Sequence, residues 1–289
     1  WIENGFYYDG DKIQPAKHPY YFAGLFYLQE PSAMTPAAFL PIDKGDRVLD
    51  MCAAPGGKSF TMAEMMENQG EIYSFDLYEH KIKLINDGAK RLDISVINAQ
   101  IGDASVYNPD LPKADKILCD VPCSGLGMLA EKPDIKYNKG VFENTELTEI
   151  QENILKNCAS LLKKGGRLVY STCTYSVEEN EGVVQKFLEQ NPEFELVDSG
   201  EAFGRNTLEF AKRIFPMDGG EGHFAAKFRK NYTPENEQPL SKDKKKILCK
   251  QENGDLCVHI YYCHLKGYWK QSEHAFNCPA REDKGGKDA

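Results

Sequence analysis

Short apolar runs alternate with longer amphipathic stretches from Gly45 onward. The short runs, of which RVLD (47–50) is the first, are typical of buried strands. In the longer stretches, apolar residues recur every three or four positions, which predicts helices. The predicted strands cover residues 47–50, 71–76, 95–100, 116–120, 167–173, 194–198 and 222–228, and the predicted helices cover 59–68, 80–92, 145–162 and 177–191.

Strands that alternate with helices of ten or more residues predict an open parallel α/β sheet. In such a sheet, ligands bind beyond the carboxyl ends of the strands. The residues that directly follow each predicted strand are therefore the first candidates for a site. They are residues 50–57, Asp76, 102–103, 120–124 and 172–174.

The regular alternation covers only the middle of the chain. We predict three parts: an aromatic-rich segment (1–45) that packs on the next domain, an α/β domain (46–230), and a linker with a polar tail (231–289). The density of Pro and Gly in the first segment argues against one long helix. The sequence begins at Trp1 rather than Met, so we expect a piece of a longer protein with a truncated first segment.

The composition is acidic, with a net charge of −9 over 289 residues. This charge weighs against a nucleic-acid partner, although KKGGR (163–167), KFRK (227–230) and SKDKKK (241–246) are local basic clusters. No apolar run approaches the roughly 18 residues that span a membrane, so we expect no membrane partner. The nine cysteines lack a framework spacing, which indicates free thiols and a cytoplasmic location.

The loop DMCAAPGGKS (50–59) joins a predicted strand to a predicted helix and ends in Gly-Lys-Ser. A phosphate-binding loop would need a glycine where Cys52 stands, and Pro55 removes an N–H from the cradle. The loop therefore fits a nucleotide triphosphate poorly. Gly56 and Gly57 allow close backbone approach at a helix amino-terminus, which suits a ligand that carries a carboxylate.

Three acids follow successive predicted strands. Asp76 can accept hydrogen bonds from both hydroxyls of a ribose, and Asp103 can accept one from an exocyclic amine. Asp120 ends the fourth strand. A single Asp at a strand end usually caps a helix or forms a turn. Three of them beside a glycine loop predict an adenosine-type ligand.

Two cysteines fall in the loop layer where this ligand would bind: Cys123 in DVPCSG and Cys173 in YSTCTYSVEENE. A thiol there, near a helix start, can have a lowered pKa and act as a nucleophile. Cys119 and Cys158 instead fall inside a predicted strand and a predicted helix. We expect those two to be small buried hydrophobic residues.

Seven sequence blocks together resemble the Nop/Sun family of RNA (cytosine-5)-methyltransferases, and within it the bacterial ribosomal-RNA methyltransferases of the RsmF kind. The resemblance runs in order from residue 1 to about residue 230. The blocks are YLQEPSAMTP (27–36), DMCAAPGGKS (50–59), FDLYEHK (75–81), GDAS (102–105), DVPCSGLG (120–127), STCTYSVEENE (171–181) and RIFPMDGGEGHFAAKFRK (213–230).

The resemblance implies a doubly wound, mostly parallel, seven-stranded sheet of the Rossmann-like S-adenosylmethionine-dependent methyltransferase fold, with residues 46–230 as the catalytic domain. S-Adenosylmethionine is then the cofactor. By position, Asp76 binds the ribose, Asp103 binds the adenine amine, and Asp120 lies near the sulfonium and the target base. The residues that wrap the methionine end are Cys52, Ala53, Ala54, Pro55, Gly56, Gly57 and Lys58.

The resemblance also implies methyl transfer to C5 of a cytosine in RNA, with ribosomal RNA or the small ribosomal subunit as the expected partner. Cys173 would be the nucleophile, Cys123 would assist product release, and Asp120 would be the third catalytic residue. DNA cytosine-5-methyltransferases attack from the Pro-Cys thiol, so the sequence alone leaves the division between the two thiols open. Three alternatives are a tRNA methyltransferase, an inactive RNA-binding or ribosome-assembly factor, and an NTPase that uses Gly-Lys-Ser.

The tail departs from the family pattern. Its cysteines and histidines lack any C-x₂₋₄-C pair, so we expect no metal site. They are Cys249, Cys257, His259, Cys263, His264 and Cys278. In the family, an RNA-binding module follows the catalytic domain, and residues 231–289 are a candidate for an incomplete one. In the first segment, we expect Tyr20, Tyr21 and Phe22 mainly to pack rather than to contact RNA.

Overall fold

The computed structural model describes residues 5–137, 145–198 and 204–231. The chain divides into two units, Trp1–Tyr232 and Thr233–Ala289, and every described residue belongs to the first. Among the described residues, no helix has both the length and the apolar character needed to cross a membrane. The three-part division at residues 45 and 230 stays a prediction.

Six α-helices and nine strands make up the described part of the chain. The helices are α1 (Pro19–Phe22), α2 (Pro31–Ala38), α3 (Gly57–Met65), α4 (Glu79–Arg91), α5 (Thr145–Leu161) and α6 (Val183–Gln190). The strands are β1 (Arg47–Asp50), β2 (Glu71–Asp76), β3 (Ile97–Ile101), β4 (Ala114–Asp120), β5 (Leu162–Thr172), β6 (Phe194–Leu196), β7 (Arg205–Thr207), β8 (Ala211–Ile214) and β9 (His223–Lys230).

These strands form one twisted sheet in the order β3-β2-β1-β4-β5-β9-β8-β7. The first five are mutually parallel, whereas β9 runs antiparallel to β5. On its other edge, β9 pairs with β8 near its start and with β6 near its end. The carboxyl ends of the five parallel strands therefore lie along one edge of the sheet, where α/β proteins bind ligands.

The predicted doubly wound, mostly parallel sheet is confirmed, but the predicted count of seven strands is too low. The described residues contain two further strands, β7 and β8. Both are short, and the sequence RNT of β7 is wholly polar, so it carries no strand signal. The first segment forms the short helices α1 and α2 instead of one long helix, as its Pro and Gly content predicts.

Alternate side chains of the central strands enter two separate cores. In β5, Leu168 and Tyr170 face the core beneath α5 and α6, while Val169 faces the core beneath α2 and α3. In β1, Leu49 faces the core beneath α5 and α6, and Val48 faces the core beneath α2 and α3. This period-two division between two apolar layers is what a sheet covered by helices on both faces requires.

The predicted helix over 177–191 begins with an irregular turn. Residues Glu178–Gly182 form a π-helical turn, in which the Gly182 N–H donates to the Val177 carbonyl five residues back. Helix α6 then continues from Val183. Three consecutive side chains of the turn, Glu179, Asn180 and Glu181, are buried. Turns of this kind are often found at functional sites.

Helix α5 provides a matched test of the core. Ile154 is 3% exposed, whereas Ile150, one turn earlier on the same helix, is 40% exposed. We expect Ile154→Ala to lower the free energy of unfolding by about 2 to 5 kcal/mol, because it leaves a cavity under the sheet. Ile150→Ala should cost less than about 1 kcal/mol. Denaturant titration of both variants checks this, and equal losses would contradict the assigned burial.

Candidate active site

The glycine loop between β1 and α3 turns sharply through Gly56, whose φ of +110° is strained for any other residue. A Cβ atom at Gly56 would lie 2.6 Å from the Phe60 ring. A Cβ at Gly57 would come within 3.0 Å of the Tyr27 ring. The peptide bond between Ala54 and Pro55 is cis. Side chains of the protein itself therefore pack against both glycines and leave little space for a Cβ atom. The approach of a ligand to this backbone stays a prediction.

Asp50, at the end of β1, anchors this loop from below. Ser59 donates to Asp50 Oδ2 over 2.6 Å, and Ser74 lies 2.8 Å from the same hydroxyl. Burial raises the pKa of Asp50 to about 7. Its Oδ1 accepts no hydrogen bond among the described residues, so that buried oxygen can accept one from an amino group of a bound ligand.

Asp76 and Asp103 lie further along the same edge of the sheet. The buried Asp76 accepts a 3.3 Å hydrogen bond from the Tyr78 N–H and forms an ion pair with Lys81. Asp103 stands beside a cavity of about 410 Å³ that Phe75 also lines. Ser105 donates twice to Asp103 Oδ1, through its N–H and its hydroxyl. The roles of Asp76 toward a ribose and of Asp103 toward an adenine stay predictions.

Asp120, at the end of β4, has both carboxylate oxygens engaged. Ser171 donates to Oδ1 over 2.6 Å, and the Lys58 ammonium lies 2.7 Å from Oδ2. Burial would lower the pKa of Lys58, but the charge and hydrogen bond of Asp120, together with the charges of Asp50 and Cys173, outweigh it, and the pKa is raised. Lys58 therefore stays protonated and carries a positive charge into the site.

The two thiols singled out by the sequence lie against each other. Cys123 Sγ and Cys173 Sγ are 2.9 Å apart, well beyond the roughly 2.05 Å of a disulfide bond. The Cys173 N–H also donates to Cys123 Sγ. The thiol hydrogen bond from Cys123 lowers the pKa of Cys173, and the charge of Lys58 lowers it further, against burial and Asp120. The same hydrogen bond, together with burial, raises the pKa of Cys123.

The other cysteines have different surroundings. Burial raises the pKa of Cys52 in the glycine loop, and it also raises the pKa of Cys119 within β4. Cys119 and Cys158 are fully buried, as predicted for small hydrophobic residues. Within the described residues, a lowered cysteine pKa thus occurs at Cys173, so the structure separates the two loop thiols in a way the sequence did not.

Gly127 joins three loops of the site. Its N–H donates to the Cys173 carbonyl over 2.9 Å, and its own carbonyl accepts from the Gly222 N–H. A Cβ atom at Gly127 would lie 2.0 Å from the Gly222 carbonyl oxygen. The loop after β4, the loop after β5 and the turn before β9 therefore meet at a point that only glycine can occupy.

His223, at the start of β9, is a buried residue that sequence reasoning did not assign to the site. Ser32 donates its hydroxyl hydrogen to Glu30 Oε2, so the 2.9 Å contact between Ser32 Oγ and His223 Nδ1 requires Nδ1–H to be the donor. Nε2 then carries the lone pair. Burial, together with the charge of Lys58, lowers the pKa of His223 to about 4, so the ring is neutral.

Glu221, two residues earlier, was also missed. It is buried, and its Oε2 has no partner among the described residues. Burial first, and then the negative charges of Glu131 and Glu30, raise its pKa to about 7. Both His223 and Glu221 lie in the block RIFPMDGGEGHFAAKFRK, which contributed to the resemblance but gave no signal for a role.

The basic clusters are largely engaged within the protein. Lys230 donates to the carbonyls of Ala159 and Leu162, and Arg229 forms an ion pair with Glu195. Lys163 pairs with Asp115. The cluster SKDKKK and the six tail cysteines and histidines lie outside the described residues.

The aromatic residues of the first segment only partly follow the packing prediction. Tyr20 and Phe22 are exposed. Tyr21 packs against the Arg91 guanidinium, with 4.2 Å between the guanidinium carbon and the ring centroid. Tyr20 and Phe22 are therefore less buried than Tyr21, although their rings contact those of His18 and Tyr21, and the choice between packing and RNA contact stays a prediction.

Sheet order, glycine loop and acidic edge together define an S-adenosylmethionine-dependent methyltransferase fold. Residues 37–229 match the family model described as 16S rRNA methyltransferase RsmB/F. The chain therefore belongs to the RsmB/F family of 16S rRNA methyltransferases. The resemblance to the Nop/Sun family and its RsmF-like members is confirmed, and the NTPase alternative loses its support.

Named relatives agree with this assignment. The chain is 45% identical over 170 residues to the probable ribosomal RNA small subunit methyltransferase B of Bacillus subtilis (strain 168), which covers 58% of this chain and 38% of that protein. It is 36% identical over 245 residues to the ribosomal RNA small subunit methyltransferase F of Klebsiella pneumoniae (strain 342). This match covers 80% of this chain and 51% of that protein. The chain spans about half of these relatives or less.

A solved structure extends the likeness to three dimensions. The crystal structure of NSun6 from Pyrococcus horikoshii with SFG superposes with a TM-score of 0.70 at 32% identity. The match covers 76% of this chain and 57% of that one. The roles of the individual site residues in this chain stay predictions, although the structure brings Lys58, Asp120, Cys123 and Cys173 close together.

The neutral state of His223 predicts a dependence of stability on acid. Between its ordinary pKa of 6.5 and its folded value of about 4, the unfolded chain binds a proton that the folded protein does not. Stability is therefore complete above pH 6.5 and falls on acidification, by up to about 3 kcal/mol for this group. His223→Asn can keep the donor to Ser32 without titrating.

Denaturant titration of the protein and of His223→Asn, near neutral pH and near pH 4.5, checks this expectation. The loss of unfolding free energy on acidification should be smaller in the variant by about 2 to 3 kcal/mol. Equal losses would mean that His223 titrates alike in the folded and unfolded states.

Proposed function

We propose that this chain transfers a methyl group from S-adenosylmethionine to C5 of a cytosine in RNA, through a covalent bond between Cys173 and C6. The observation that carries the proposal is the thiol pair, with Cys123 Sγ 2.9 Å from Cys173 Sγ, beside the Lys58–Asp120 ion pair. Small-subunit ribosomal RNA is the proposed substrate. Its support is the family and the likeness to ribosomal RNA small subunit methyltransferases B and F.

The residues present fit the proposed cofactor. The glycine loop ends at the amino-terminus of α3, where backbone N–H groups can meet a carboxylate, and the buried Asp50 Oδ1 has no partner among the described residues. We propose that residues 52–58 hold the methionine end, Asp76 the ribose, and Asp103 the adenine amine. When bound, S-adenosylmethionine supplies an electrophilic methyl group.

The chemistry explains why a thiolate is needed. C5 of cytosine is too weak a nucleophile to attack a sulfonium methyl group. Addition of the Cys173 thiolate to C6 forms a C–S bond and makes C5 enamine-like. The Lys58–Asp120 pair can hydrogen-bond to the pyrimidine edge, with the Lys58 ammonium as the proton donor to N3, and so stabilise the charge that develops there.

The second half of the reaction restores the aromatic base. After methylation, the C5 proton leaves to a base and its electron pair re-forms the C5–C6 double bond. The C–S bond breaks in the same step, and its electron pair leaves with sulfur as the Cys173 thiolate. We assign Cys123 to this release, because its raised pKa keeps it as a protonated thiol beside the leaving sulfur.

The opposite assignment, with Cys123 as the nucleophile and Cys173 assisting release, has less support. Cys173 has the lowered pKa and Cys123 the raised one, so Cys173 is the better nucleophile near neutral pH. A tRNA substrate remains an alternative for the same chemistry. For any RNA, the target base must leave its stack at a cost of a few kcal/mol, which a loop or single strand reduces.

Substitution of the two thiols should separate their roles. We expect Cys173→Ala to lower methyl transfer at least about a thousandfold, since no C–S bond can form. Cys123→Ala should instead accumulate a protein–RNA adduct that survives denaturing electrophoresis, because release is slowed. Radiolabelled methyl transfer from S-adenosylmethionine to ribosomal RNA measures the first effect.

The buried Cys158 provides the matched control, because Cys158→Ala removes a thiol outside the pocket and should leave transfer unchanged. Full activity of Cys173→Ala would refute the proposed mechanism. Bisulfite sequencing of ribosomal RNA from cells that lack the protein should show one unmethylated cytosine. Unchanged ribosomal RNA together with altered tRNA would favour the alternative substrate.

A further inference from the structure

The backbone around Cys123 is held on both sides by two buried polar side chains. Gln151 Nε2 donates to the Pro122 carbonyl over 2.9 Å and to Glu179 Oε2 over 2.8 Å. The same Glu179 oxygen accepts from the Ser124 N–H over 2.9 Å. The residues immediately before and after Cys123 are thus tied to helix α5 and to the π-helical turn.

The backbone around Cys173 is held in the same way by the next residue of that turn. Thr172 donates its hydroxyl to Asn180 Oδ1 over 2.6 Å, and Asn180 Nδ2 donates to the Thr174 carbonyl over 3.0 Å. A contact of 2.7 Å between the hydroxyls of Ser124 and Thr174 then links the two loops directly. Asn180 therefore brackets Cys173 as Gln151 and Glu179 together bracket Cys123.

Both side chains are placed to act as fixed supports. Glu179 is 4% exposed and Asn180 is fully buried. Tyr170, near the carboxyl end of β5, donates its hydroxyl to the Glu179 carbonyl over 2.6 Å, which fixes the turn itself. Buried polar groups that are satisfied by several partners rigidify their surroundings. The π-helical turn allows the two neighbouring side chains to face inward together.

We propose that Glu179 and Asn180 are paired positioning residues that set the separation of the two thiols, Glu179 for Cys123 and Asn180 for Cys173. This inference rests on the proposed function for its catalytic meaning. Glu179, with Gln151, holds Cys123 where its thiol can donate to Cys173 and later assist release. Asn180 holds Cys173 where its sulfur can reach C6 of the target base.

The proposal predicts opposite defects from neighbouring residues. Glu179→Ala should behave like a weak Cys123→Ala, with methyl transfer reduced and the covalent RNA adduct persisting. Asn180→Ala should behave like a weak Cys173→Ala, with less adduct formed. Glu179→Gln keeps an oxygen that can accept from Ser124 and Gln151, so it should restore most of the activity that Glu179→Ala loses.

Thiol reactivity gives a readout that needs neither RNA nor cofactor. Iodoacetamide labelling across pH, followed by mass spectrometry of the Cys173 peptide, reports the apparent pKa of that thiol. We expect Glu179→Ala to raise it by about one unit, which slows labelling near neutral pH about tenfold. Glu178→Ala is the matched control, because Glu178 lies in the same turn but is exposed. It should label and methylate like the parent protein.

The outcomes separate this inference from the proposed function. Suppose that the parent protein methylates no RNA but that Glu179→Ala still shifts the pKa of Cys173. That result would support the positioning role of Glu179 and refute the proposed methyltransferase function. An active parent whose Glu179→Ala and Asn180→Ala variants keep its adduct level and its Cys173 labelling would overturn the positioning alone. Substitution by Ala at either site can unfold the protein. Glu179→Gln and Glu179→Ala are therefore compared only as folded proteins, whose melting temperatures equal that of the parent. Equal adduct persistence in Glu179→Gln and a folded Glu179→Ala would also overturn it.

Discussion

The parallel pairing of β4 with β5, which sets Asp120 opposite Ser171, is the constraint on which the candidate site depends. In this register, Ser171 can donate to Asp120, and Lys58 from the neighbouring helix completes the ion pair. The chain then leaves both strands at the same edge, so Cys123 and Cys173 reach each other within three residues of their strand ends. A slip of β5 by one residue would turn Ser171 to the opposite face of the sheet, away from Asp120.

Much of the fold follows from local pattern alone. The predicted bounds of β1 and β2 coincide with the observed ones, because each strand is an apolar run between clear turn signals. Strands β7 and β8 could not be predicted in this way. They are three and four residues long and exist through their pairing with each other and with β9. Pairing between segments that are distant in the chain produces no clear hydrophobic pattern within about ten consecutive residues.

The candidate site shows the same limit. Asp76, Asp103, Cys123 and Cys173 were found from their position after strands, because chain order alone assigns those positions to one edge. The contact between Ser32 and His223 joins residues 191 positions apart, and only the assembled topology brings them together. Glu179 and Asn180 lie in a polar run, VEENE, that is typical of a solvated helix face. Their burial arises from the π-helical turn, which hydrophobic periodicity does not reveal.

Gly127 has a consequence for how such a site can change over time. Since a single methyl group there would overlap the Gly222 carbonyl, the loops carrying the two thiols and the turn before β9 cannot drift apart independently. Variation in any of the three must preserve their common meeting point, or all three must move together. The pocket can therefore acquire new substrates by changes around its rim, while the spacing at its centre is inherited as a unit.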